Sequence, residues 1–250
     1  KTPRSRPRNP WWAMNLFERI VPKGLQENKE FREDVMRRAA GNGKYRAALR
    51  EWCRDDLLFW LNTFCWLDEP RPGGKGDIRP IPFITYPFQD RVLGQLEEAY
   101  GREDVGIEKS RDMGATWMCL YLFLHRAQFY KGQRLVCVSR NESYVDSPRN
   151  SKSLFWKMDF ALRTQPAWLR GQVERSQLNL YFPGTGSVID GEATTGDIAR
   201  GDRRTAILLD EFAAVTPPAN AHKADASSAS ATNCRIFNST PQGMGAFHDI

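Results

Sequence analysis

The sequence predicts an α/β fold: a mostly parallel sheet covered by helices, preceded by a helical N-terminal region. Three observations carry this expectation. Residues 11–66 repeat apolar side chains at near-helical spacing, with Leu49, Trp52, Leu57, Trp60, Leu61 and Phe64 in the clearest stretch. Beyond residue 80 short apolar runs alternate with longer helical stretches, the pattern of strand–helix–strand units. Between the two lies DEPRPGGKGDIRPIP, 68–82, whose four prolines and three glycines mark a loop or boundary.

Taken in order, residues 1–10 (KTPRSRPRNP) are rich in Pro and Arg and read as a disordered basic arm. Residues 11–80 form the helical N-terminal region, and 81–250 the α/β core. Within the core, DVGIEK (104–109) reads as a strand followed by a helix from about Thr116 to Tyr130. RLVCVS (134–139) is a strand, and a helix covers roughly 143–163. LNLYF (178–182) and GSVID (186–190) are polar-bounded strands. TAILLD (205–210) and CRIFNS (234–239) have the apolar character of buried strands.

The 250 residues are 41% hydrophobic and 12% aromatic, enough for a sizeable core, which excludes global disorder. No apolar run reaches the ~18 residues of a membrane span, which predicts a soluble protein with no membrane partner. Net charge is +6, but residues 1–50 hold 13 Lys/Arg against 5 Asp/Glu, leaving the remaining 200 at −2. A basic start is a solvated arm or one that touches nucleic acid. With a near-neutral core, any DNA contact must be a local patch. Cys53, Cys65, Cys119, Cys137 and Cys234 form no C-x-x-C pair and sit in apolar surroundings, so they read as reduced, buried thiols. Lys1 is no initiator Met, and Ile250 follows a glycine-rich turn directly; the expectation is a piece of a longer chain.

Chemistry concentrates in four stretches. GIEKSRDMGATW (106–117) resembles a phosphate-binding loop, G-x-x-x-x-G-K-[ST], with its lysine displaced. Gly114 and Thr116 fit that pattern, Ala115 stands where the lysine belongs, and Lys109 stands where the first glycine belongs. The loop follows a strand and opens a helix, whose free N–H groups favour an anion. Gly114 lets backbone approach a phosphate, Thr116 offers Mg²⁺ a hydroxyl, and Lys109 or Arg111 supplies the cation. The bland alternative is a strand–turn–helix with incidental charges.

The second stretch is TAILLDEF, a buried strand ending in Asp210 and Glu211. Carboxylates at the carboxyl end of a parallel strand lie where α/β proteins bind ligands. Asp210 suits Mg²⁺, and Glu211 suits a general base acting on water. Alternatively it is a strand with a solvated acidic turn. The third, IFNSTPQG (236–243), ends a strand in Ser239 and Thr240, small hydroxyls that suit sensing of a γ-phosphate; S-T-P-x-G is also plain turn chemistry. The fourth, YPFQD (86–90), offers the Gln89 amide to an adenine edge, with Tyr86 or Phe88 against the ring. Together the loop and the Asp210-Glu211 strand fit a P-loop ATPase with a RecA-like core.

The ordered set Y-P-F-Q, K-S-R-x-x-G-x-T, I-L-L-D-E-F and N-S-T-P-Q-G resembles the large terminase subunit of tailed double-stranded DNA bacteriophages, over roughly residues 80–245. Some members of that family carry the loop lysine at the loop's start. The resemblance implies an ATP-hydrolysing motor that moves viral DNA into a procapsid. Lys109, Ser110, Arg111, Gly114, Ala115 and Thr116 would bind ATP and Mg²⁺. Asp210 would be a metal ligand and Glu211 the catalytic base. Ser239 and Thr240 would form the coupling motif, and Gln89 the adenine contact. A trans arginine finger is implied, with Arg200 as the first choice and Arg203, Arg204 and Arg140 as rivals. Residues 11–80 would be a lid. The partners implied are double-stranded DNA, the portal protein, the small terminase subunit and further copies in a ring. The location implied is the cytoplasm of the infected bacterium and the procapsid portal. Members of this family also carry a C-terminal nuclease domain; residues 1–250 end before one could begin, so no nuclease activity is expected of them. Two alternatives stand beside this reading: a superfamily-2 helicase-like ATPase, whose relatives usually keep the lysine before Thr/Ser, and a non-hydrolysing P-loop scaffold.

Overall fold

The computed structural model describes residues 20–68, 80–194, 198, 202–242 and 245–249. The basic arm, residues 11–19, Arg200 and most of the 68–82 loop lie outside them. The N-terminal region supplies α1 (Leu25–Ala39), α2 (Gly43–Asp55) and α3 (Leu57–Phe64). Side chains set the starts of the last two. Asn42 accepts the Tyr45 N–H ahead of α2, and Asp56 accepts the Phe59 N–H ahead of α3. A short antiparallel pair follows, β1 (Trp66–Leu67) with β2 (Ile81–Pro82). Next come α4 (Pro87–Ala99), β3 (Val105–Glu108), α5 (Ala115–Phe129) and β4 (Arg134–Ser139).

The expected helix over 143–163 is two pieces, α6 (Glu142–Val145) and α7 (Leu154–Thr164). Pro148 disfavours helix in the residue before it, and Ser153 restarts the chain by accepting the Trp156 N–H at 3.3 Å. The remaining elements are α8 (Ala167–Arg170), β5 (Glu174–Ser176), β6 (Asn179–Phe182), β7 (Ser187–Ala193), β8 (Ala206–Asp210), α9 (Pro218–Ala229) and β9 (Arg235–Ser239).

β3 to β9 form a seven-stranded sheet in the order β3-β9-β8-β4-β7-β6-β5. The first five positions are parallel, and β6 and β5 extend the sheet as antiparallel strands. The pleat sends alternate residues to two cores. Leu135, Cys137, Leu208 and Ile236 join the helices α1–α5 and α7 on one face, while Val136, Val138, Ile207, Leu209 and Phe237 meet Ala221 and Ala224 of α9 on the other. Both faces are therefore covered, as a parallel sheet requires. The N-terminal helices share the first core. Trp60 of α3 stands edge-on to Tyr121 and Phe129 of α5 at 5.6 and 6.0 Å. All five cysteines are buried and unpaired, and burial pushes their thiols up. No helix among the described residues is long and apolar enough to cross a membrane.

Candidate active site

Because β9 lies between β3 and β8, three chain segments far apart in sequence end side by side at the carboxyl edge of the sheet. They are the loop after β3, the Asp210-Glu211 end of β8, and Asn238–Thr240 at the end of β9.

The loop leaves β3 with the Lys109 N–H donated to the Ser239 carbonyl at 3.1 Å. Ser110 to Met113 are exposed, Arg111 among them. Gly114 has φ +75° and precedes Ala115, the first residue of α5, with no side chain capping that helix. Among the described residues the first-turn N–H groups of this 15-residue helix are thus left without a side-chain cap at the loop, where an anion would be favoured. A Cβ on Gly114 would meet Gln89 Nε2 at 2.9 Å. Only glycine fits that cradle on both grounds.

Gln89 is 5% exposed. Its Oε1 accepts the Tyr86 N–H at 3.0 Å and its Nε2 donates to the Met113 carbonyl at 3.1 Å. The amide expected to face an adenine edge therefore ties the start of α4 to the back of the loop after β3. Tyr86 is 64% exposed and stacks on half-buried Phe88, with ring centres 5.9 Å apart and planes 7° apart.

The charged residues meet directly. Lys109 Nζ donates to Glu211 Oε1 at 2.7 Å and to Thr240 Oγ1 at 3.4 Å, with the Lys109 side chain only 12% exposed. A lysine at the loop's start thus reaches the same spot as the β8 carboxylate. Thr116 Oγ1 donates to Asp210 Oδ1 at 2.9 Å, and Asn238 Nδ2 donates to the same oxygen at 2.6 Å. Asp210 is 6% exposed, and burial raises its carboxyl above the ordinary value against the opposing effect of those two hydrogen bonds. Glu211 sits in the left-handed region, φ 54° and ψ 41°, with its N–H donated to the Asn238 carbonyl at 2.7 Å. A non-glycine residue there costs about 1–2 kcal/mol, and such outliers cluster at functional sites. Ser239 is buried; its Oγ accepts the Ala213 N–H at 3.0 Å, bracing the turn after Glu211.

Two neighbours escaped the motif reading. Asn238 was only a letter in N-S-T-P-Q-G, although a polar residue closing the apolar run Ile236-Phe237 was a usable signal. Lys157 of α7 feels the Asp210 and Asp68 carboxylates; burial pushes its ammonium down to about 8. No sequence motif marks it. Of the arginines, Arg200 lies outside the described residues. Arg203 is exposed, Arg140 lies over the Tyr144 ring at 3.9 Å, and Arg204 pairs with Asp190 and, at 3.4 Å, with Asp202.

A mostly parallel sheet with helices on both faces, a glycine-turned loop opening a helix, and an acidic pair two strands away make up a RecA-like α/β fold. No family model and no curated protein matches the chain. Among solved structures, the chain is similar to the large terminase of bacteriophage HK97, at 15% identity and a TM-score of 0.52. That match covers 74% of this chain and 37% of the HK97 protein, so the chain spans little more than a third of that protein's length. The ATPase domain of a Thermus phage large terminase is similar at 17% identity and a TM-score of 0.44, over 63% of this chain and 67% of that one. The HK97 similarity establishes that the two share a fold.

Proposed function

We propose that this chain is the ATP-hydrolysing core of a DNA-packaging motor of the large-terminase kind. The observation that carries the reading is the convergence of Lys109, Thr116, Asp210 and Glu211 within hydrogen-bond distance, pairwise, beside an uncapped helix start. Phosphates of ATP bind at that helix start, over Ser110–Ala115. Lys109 leaves Glu211 for the β/γ-phosphates, and Arg111 offers a second cation from the exposed loop. Tyr86 and Phe88 form the ring platform for adenine, and Gln89 transmits its occupancy to the loop through Met113.

The donor set fits Mg²⁺. Thr116 and Asp210 are hard oxygen donors, and among the described residues both hydrogen bonds that Asp210 accepts land on Oδ1, so Oδ2 would be offered to a cation. Thr116 and Asp210 would hold the ion. Bound there, Mg²⁺ supplies neutralisation of phosphate charge. Glu211 accepts the proton of the attacking water, and Thr240, beside Lys109, relays the state of the γ-phosphate to β9 together with Ser239.

Residues 11–80 act as the lid. Lys23 supports this, because its ammonium reaches Thr85 Oγ1 at 2.7 Å and Asp90 at 3.3 Å, flanking Tyr86. A neighbouring copy in a ring supplies an arginine finger, with Arg200 the first choice. Double-stranded DNA, portal protein and small terminase subunit are the partners, and the procapsid portal in the host cytoplasm is the place of action.

The test is Mg²⁺-ATP affinity of the wild type and of Lys109→Ala, each shown to be folded. A loss of tenfold or more, about 1.4 kcal/mol, is expected. Equal binding by both removes Lys109 from the site, and no binding by the wild type overturns the reading.

A further inference from the structure

Asn238 stands across the parallel β8–β9 pair from Asp210, its register partner. It is 0% exposed and follows apolar, buried Ile236 and Phe237. Three site residues touch it. Nδ2 donates to Asp210 Oδ1 at 2.6 Å and lies 3.3 Å from Thr116 Oγ1, and its carbonyl accepts the Glu211 N–H at 2.7 Å. Its own Oδ1 is buried with no hydrogen-bond partner. An orphaned buried acceptor destabilises the fold, and a leucine of similar size would avoid that cost. The amide orientation is dictated by the carboxylate, since the flipped amide would set oxygen against oxygen at 2.6 Å. The protein thus keeps an unsatisfied oxygen in order to keep a donor on Asp210.

That donor differs in kind from the other one. The Thr116 hydroxyl turns freely about its C–O bond and is needed by the cation. The Asn238 amide is planar, fully buried and anchored on a central strand. It holds Oδ1 in place whatever Thr116 does, and Oδ2 takes no part in that hydrogen bond. We propose, resting on the ATPase reading above, that Asn238 is the positioning residue that orients Asp210 for Mg²⁺, while its carbonyl keeps Glu211 in the left-handed turn.

The test measures ATP affinity with Mg²⁺ and with chelator, for wild type, Asn238→Leu, Asp210→Asn and the double variant. In the wild type Mg²⁺ is expected to tighten ATP binding. Asn238→Leu should lose at least fivefold of that Mg²⁺-dependent gain, with a change of less than twofold in chelator. The double variant should lose no more of the gain than Asp210→Asn alone, because Asn238 acts through that carboxylate. An undiminished gain in Asn238→Leu, an equal loss with and without Mg²⁺, or additive losses in the double variant would each overturn the proposal. If Asn238→Leu fails to fold by circular dichroism, Asn238→Ser is read by the same criteria. A wild type whose ATP affinity ignores Mg²⁺ overturns the ATPase reading itself, a result distinct from the other three.

Discussion

Replacing Asp210 by asparagine should make the protein more stable while disabling its site. The side chain is buried, and both of its hydrogen bonds end on Oδ1. An asparagine carbonyl oxygen accepts the same two donors from the same place, so the exchange keeps both hydrogen bonds and removes a buried negative charge together with its attraction for Lys157, an effect smaller than the burial penalty. Burial raises the Asp210 carboxyl above its ordinary 3.8, so the fold favours the neutral form. A gain in stability at pH 7 is therefore expected. Alanine also removes the charge, but it strands the Asn238 and Thr116 donors, so it should fall about 1–3 kcal/mol below asparagine. Urea unfolding without Mg²⁺, followed by tryptophan fluorescence, measures both. The sign with pH follows from the direction of the shift. The folded state holds the proton more tightly than the unfolded one. Wild-type stability is therefore lost as pH rises from 3.8 through the raised folded value, and the asparagine variant escapes that loss. Its advantage is full above the raised folded value and vanishes below pH 3.8. Refutation would be an asparagine variant less stable than wild type at pH 7, or asparagine and alanine variants with the same midpoint.

Other sites extend the same logic. Gly114→Ala forces a left-handed Cβ, costing about 1–2 kcal/mol, and crowds Gln89 Nε2; it should lower ATP affinity at least tenfold. Adding Gln89→Ala should not restore that affinity, because the backbone conflict remains, and equilibrium binding by both variants checks this. Under the proposed function, Glu211→Gln still offers Lys109 an acceptor, so ATP binding should persist while turnover falls about 10²-fold or more; phosphate release reads this out, and full turnover would refute the base role. Lys157 has its ammonium pushed down to about 8 by burial. Wild-type stability should therefore rise relative to Lys157→Met between pH 8 and the ordinary lysine value of 10.5. Urea midpoints across that range test it, and a flat difference would refute it.

What the sequence determined by itself was local. RLVCVS, AILLD and RIFNS are runs of apolar residues long enough for one buried strand, and their limits in the structure agree within a residue of the sequence reading. Glycine followed by a helix start made the loop legible, and an apolar strand closing in Asp-Glu made the acidic pair legible. Local pattern failed where punctuation outweighed periodicity, as in the break between α6 and α7 around Pro148. Tertiary structure alone decided the order of strands. Nothing near residue 235 says that β9 enters between β3 and β8, because that placement depends on crossovers and on covering both faces of the sheet. From that order came the contacts no spacing rule contains. Lys109 meets Glu211 across 102 residues, and Asn238 meets Thr116 across 122. Gln89, read for its free amide, was turned inward by the loop it supports. A hydrogen bond needs two groups within about 3 Å; the sequence specifies which groups exist, and only the folded sheet brings them that close.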